Sequence, residues 1–66
     1  MKNNLRIQRA IKNITQAELA ELISVSRQTI NTIESGKYVP STVLALKIAK
    51  VFAAPLETIF ELDEND

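Results

Sequence analysis

The chain has no cysteine, no histidine and no tryptophan, and only one glycine and two prolines among its 66 residues. Without cysteine there is no disulfide and no thiolate nucleophile, which fits a reducing compartment, so a cytoplasmic location is expected. Without histidine the usual general base and nitrogen ligand are also missing. The acids fall at helix starts, in one candidate ion pair and in a tail, so no catalytic constellation, metal site or cofactor is expected, and the chain reads as no enzyme. A single glycine cannot build a phosphate-cradling loop. No apolar run approaches the length of a membrane span, and the opening MKNNLRIQRAIKN lacks the uninterrupted apolar core of a signal peptide. Neither a membrane nor secretion is expected.

What is present reads as one small globular domain. A hydrophobic content of 45% separates the chain from disordered sequences. At 66 residues it lies near the lower limit for independent folding, where about 60% of the unfolded surface is buried, so support from a partner subunit is expected. The formal net charge is zero, which argues at first against nucleic acid. Its distribution answers the objection. Residues 1 to 50 hold all eight bases against three acids, a balance of +5, while residues 51 to 66 hold five acids and no base. One end of such a dipole can face phosphate while the other repels it.

The stretch Thr15 to Gly36 carries the strongest local signals. Thr15 and Glu18 form a capping box, which starts a helix at Gln16 with Leu19, Ala20 and Ile23 along one face. Ser24-Val25-Ser26 breaks the pattern, and Ser26 caps a second helix with Ile30 and Ile33 inward. Gly36 stops it, because a left-handed residue is nearly free only for glycine. Arg27, Gln28, Asn31 and Thr32 are left facing outward. A guanidinium, two carboxamides and a hydroxyl suit the edges of base pairs in the major groove.

The remaining elements follow from caps and periodicity. Asn3 or Asn4 can cap a helix from about Leu5 to Lys12, with Asn13 as a left-handed terminator. An apolar count turns Ile7, Ala10, Ile11 and Ile14 of that helix inward; the alternative buries Leu5, Gln8 and Arg9. Both sets cannot enter one small core, since Ile7 and Ile11 lie almost opposite Arg9. Ser41 caps a helix from about Thr42 to Phe52, with Leu44, Ala45, Ile48, Ala49 and Phe52 as its buried stripe. Pro55 suits the first position of a last short helix ending near Phe60.

Gln16-Ala17-Glu18-Leu19-Ala20, Val25-Ser26-Arg27-Gln28-Thr29-Ile30, Ile33-Glu34-Ser35-Gly36-Lys37 and Pro40-Ser41 resemble the helix-turn-helix of the Cro/cI repressors, also called the xenobiotic-response-element family. The likeness covers nearly the whole chain, and in length it is nearest to the short cytolysin-repressor type. It implies an all-α, five-helix, lambda-repressor-like DNA-binding domain with helices over about 5 to 12, 16 to 23, 27 to 35, 42 to 52 and 55 to 60. It also implies a small antiparallel two-stranded ribbon, about Lys2 to Asn4 with Glu61 to Asp63. The family consists of DNA-binding regulators, usually homodimers, so the expected partners are a double-stranded DNA operator and a second copy.

Site residues follow from the same resemblance. Arg9 is expected to pair with Glu34, which selects the inward face of the first helix and leaves Ile7 and Ile11 exposed for a further protein contact. Arg27, Gln28, Asn31 and Thr32 are the expected base readers. Gln16, Thr29, Lys37 and Tyr38 are the expected phosphate contacts, with Gln16 bracing Gln28. Ser24 replaces the glycine usual in the turn. The dimer interface is expected at Leu56, Phe60, Val39 and Pro40. Repression by occupancy of a promoter is the expected outcome; the competing reading is an antitoxin or adaptor that keeps the shape but binds protein.

Overall fold

The computed structural model describes all 66 residues. In chain order the elements are β1 (Lys2–Asn3), α1 (Leu5–Lys12), α2 (Gln16–Leu22), α3 (Arg27–Glu34), α4 (Thr42–Phe52), α5 (Leu56–Ile59) and β2 (Phe60–Glu61). The fold is mostly helical with one two-stranded antiparallel ribbon.

Each helix begins or ends where a side chain or an unusual backbone angle dictates. Thr15 Oγ1 accepts from the Glu18 amide at 3.0 Å while Glu18 Oε1 accepts from the Thr15 amide at 3.0 Å, closing the capping box of α2. Ser26 and Ser41 accept from the amides of Thr29 and Leu44, which fixes the starts of α3 and α4. For α1 it is Asn3, not the adjacent Asn4, whose side chain takes the Leu5 amide. Asn13 ends that helix at φ 59°, and Gly36 stands at φ 79° beyond α3. Ser24 adopts φ 61° in the turn between α2 and α3, so serine there holds a left-handed conformation at some steric cost.

The core gathers Leu5 from α1, Leu19 from α2, Ile30 and Ile33 from α3, Ile48 from α4 and Ile59 from α5, all fully buried. Each contributes roughly 1.5 to 3 kcal/mol from burial. Leu5 inside, with Ile7 and Ile11 outside, settles the inward face of α1.

Three expectations need correction at the C-terminal end. Pro55 is not the first helical residue: it stands at the N-cap with ψ 145°, and α5 has only four residues. Ala53 at φ 49° turns the chain out of α4, the Ala54 amide still bonds back to the Ala49 carbonyl, and Pro55 at ψ 145° is not yet helical, so α5 starts only at Leu56. The ribbon pairs Lys2 with Glu61 and Asn3 with Phe60, one residue earlier and shorter than expected. That register turns Phe60 into the core at 7% exposure, and Pro40 is likewise buried. Neither ring is left to form the body of an interface with a second copy.

Candidate nucleic-acid interface

Seating Ile30 and Ile33 in the core forces the opposite side of α3 into solvent. Arg27, Gln28 and Asn31 are exposed there and together line one shallow polar concavity. Thr32 stands apart from them. It is half-buried, and its hydroxyl is turned back on its own helix, shared between the carbonyls of Gln28 at 2.8 Å and Thr29 at 3.0 Å. The Thr29 hydroxyl lies 2.9 Å from that of Ser26 and so reinforces the cap of α3. Lys37 and Tyr38 are exposed just beyond Gly36.

Behind this face lies a chain of polar contacts. Arg9 donates from Nε to Glu34 Oε2 at 2.5 Å and from Nη2 to Oε1 at 3.0 Å, while Nη1 reaches the Ile14 carbonyl at 3.1 Å. One guanidinium therefore ties α1, the loop before α2 and the end of α3 together. The Glu34 side chain is 1% exposed. Burial pushes its carboxyl up, but hydrogen bonds from Arg9 and Gln16, with the charges of Arg9 and Arg6, outweigh that and hold it below its ordinary range. The same hydrogen bonding raises Arg9, against the opposing effect of its burial.

Gln16 continues the chain outward. Its Nε2 donates to Glu34 Oε1 at 3.1 Å and, more weakly, to Asn31 Oδ1 at 3.4 Å. The expected brace on Gln28 is not formed. Asn31 and Glu34 are three residues apart on one stripe of α3, level with the start of α2, whereas Gln28 lies one turn closer to the start of α3.

Sequence reasoning passed over Asn3, whose Nδ2 donates to the Ile33 carbonyl at 2.8 Å and so ties β1 to the last turn of α3. Nothing local in the sequence signals a contact across 30 positions. The charge separation is also less complete in space than in sequence. The Met1 amine lies 3.0 Å from Asp63 and 3.1 Å from Asp66, and Lys2 lies 3.8 Å from Asp63, so these cations belong to the acidic end.

Several large apolar side chains are open to solvent, Leu22 and Leu62 among them. Ile7 and Ile11 are 59% and 75% exposed on α1. Val39, Val43 and Leu46 are exposed before and along α4, with Leu56 half-buried on α5. No helix is long and apolar enough to cross a membrane.

A family model described as helix-turn-helix matches residues 5–59. The chain is 52% identical over its full length to an uncharacterised HTH-type transcriptional regulator of Methanocaldococcus jannaschii, of which it covers 100%. It is 46% identical to the uncharacterised HTH-type transcriptional regulator YgzD of Bacillus subtilis, again end to end. A third such regulator, from Archaeoglobus fulgidus, is 48% identical, with 93% of its length covered. On a match of this extent, and on relatives this similar over this length, the chain belongs to the helix-turn-helix family.

Proposed function

We propose that the chain is a sequence-specific regulator of transcription that binds double-stranded DNA, with α3 in the major groove. The observation that carries this is the exposure of Arg27, Gln28 and Asn31 side by side on a helix whose other face is locked into the core. Arginine and glutamine read guanine and adenine edges with two hydrogen bonds each. Thr32 adds its methyl group to that surface more readily than its hydroxyl, which is already spoken for. Lys37 and Tyr38 flank the groove and hold phosphate, with Thr29 at the helix start.

The regulator works as a homodimer on a two-fold operator. One α3 spans too few base pairs for specificity, and two copies read half-sites about 34 to 36 Å apart. A protomer of 31 × 22 × 20 Å is of a size to set two α3 helices at that spacing. Val39 and Leu56 supply the contact, joined by the exposed Val43. Occupying a promoter in this way represses it, and the ribbon of β1 and β2 favours the cytolysin-repressor type. Ile7 and Ile11 serve a further protein contact.

Selection of bound fragments from random DNA tests the reading. Enrichment of a two-fold-related site is the expected result. Binding that ignores sequence, and that persists unchanged between low and moderate salt, would point to the adaptor reading instead.

A further inference from the structure

The exposed face of α4 continues past the contact assigned to the second copy. Val43, Lys47 and Lys50 stand at i, i+4 and i+7, so the surface that begins with Val39 and Val43 runs on into two lysines. There α4 meets the end of α2, and Leu22, Ile23, Lys47, Lys50 and Val51 line a shallow groove. Leu22 is 59% exposed in it. The ion pairs of the chain take their cations from Met1, Lys2, Arg6 and Arg9, which leaves both groove lysines without a carboxylate.

The tail carries the complementary pattern. Leu62, just past β2, is 72% exposed. Asp63 and Asp66 are held by the Met1 amine, but Glu61 and Glu64, one before and one after Leu62 in the chain, are exposed and pair with no cation. A leucine between two free carboxylates thus matches an apolar groove with two free ammonium groups. The tail does not fill the groove of its own chain, since Leu62 stays open and the lysines stay unpaired.

Resting on the homodimer proposed above, we propose that Leu62 of each copy seats in the groove of the other, with Glu61 and Glu64 paired to Lys47 and Lys50. Two-fold symmetry makes the contact twice, because tail meets groove in both directions. The groove adjoins Val43, so both contacts extend the one interface. Apolar burial of Leu62 against Leu22 and Val51 adds affinity, while the charges add selectivity and salt dependence.

Sedimentation at several salt concentrations tests this on the wild type, Lys47→Glu with Lys50→Glu, Glu61→Lys with Glu64→Lys, and a chain carrying all four reversals, with melting curves to establish that each folds. In low salt each double variant is expected to weaken the dimer about ten-fold or more, because like charges then meet in both contacts. The chain with all four reversals should regain the loss. So should an equal mixture of the two double variants, in which every tail meets a groove of opposite sign. Glu64→Lys alone, clear of the ribbon, keeps the tail arm readable if Glu61→Lys unfastens β2. Leu62→Ala should weaken the dimer at every salt concentration. The inference is overturned if the folded double variants dimerise like the wild type, or if neither the combined reversal nor the mixture recovers what the doubles lose. A wild type that stays monomeric overturns the homodimer itself and the inference with it, whereas a wild-type dimer indifferent to every reversal overturns the inference alone.

Discussion

Arg9 and Glu34 meet across 25 residues of sequence through two hydrogen bonds, one to each carboxylate oxygen. The pair is the joint between α1 and α3, and Glu34 is almost wholly enclosed. Taking away one member strands the other. Arg9→Ala or Glu34→Ala is expected to lower the unfolding free energy by roughly 3 to 5 kcal/mol, measured by urea titration. Replacing both with apolar residues of similar volume should restore much of the loss, because no charge is then left enclosed.

Acid should weaken the same joint. Glu34 titrates below its ordinary 4.5 in the folded chain. A carboxyl of this kind adds stability that is fully present above 4.5 and disappears as pH falls through the lower folded value. Arg9 is raised, so its own part would vanish only in strong alkali. Melting followed from pH 7 downward should show a decline beginning near pH 4.5 and steepening below it. In Glu34→Gln the decline should be shallower from a lower starting point.

Ala53 ends α4 at φ 49°, a conformation that costs an alanine about 1 kcal/mol and a glycine almost nothing. Ala53→Gly is expected to raise the melting temperature by several degrees, since about 1 kcal/mol moves a domain of this size by roughly 4 to 8 °C. Ser24→Gly at φ 61° should act in the same direction. A fall in either variant would mean that the side chain contributes more than the backbone strain costs.

Much of this architecture is legible in local chemistry. Thr15 with Glu18, Ser26, Ser41, Asn13 and Gly36 announce where helices start and stop, because a cap depends only on the three or four residues beside it. Relations between helices are not local. Gln16 turns to Asn31 rather than Gln28 because of how far α2 sits along α3, a distance fixed by core packing. Phe60 and Pro40 read as exposed apolar residues, yet both are buried, Phe60 because α5 stops at Ile59 and β2 carries the next side chain into the core. Pairing of Arg9 with Glu34 was readable only through family likeness; the apolar count alone would have buried Ile7 and Ile11.

In the proposed function Gln28 reads bases and Lys37 holds phosphate, and substitutions tell the two roles apart. Gln28→Ala should cost about 1 to 3 kcal/mol on the preferred site and relax the preference at one position. Lys37→Ala should weaken all sequences about equally and reduce the salt dependence by about one counterion. Titrations at several salt concentrations, on specific and random duplexes, distinguish the two.

Ile7 and Ile11 lie outside the core, so charges placed there should leave folding intact. Ile7→Glu and Ile11→Glu are expected to melt within about 0.5 kcal/mol of wild type. Cooperative filling of adjacent operators should fall, as read by titration of duplexes carrying one site or two. Equal cooperativity in the variants would remove the second protein contact.

Asn3 grips the last turn of α3, and its strand is completed only by Phe60 and Glu61. During synthesis residues 2 and 3 leave the ribosome long before residues 60 and 61 exist, so this clasp stays open on the growing polypeptide. A growing copy therefore lacks the strand partner that holds Asn3 beside α3 until residues 60 and 61 have emerged.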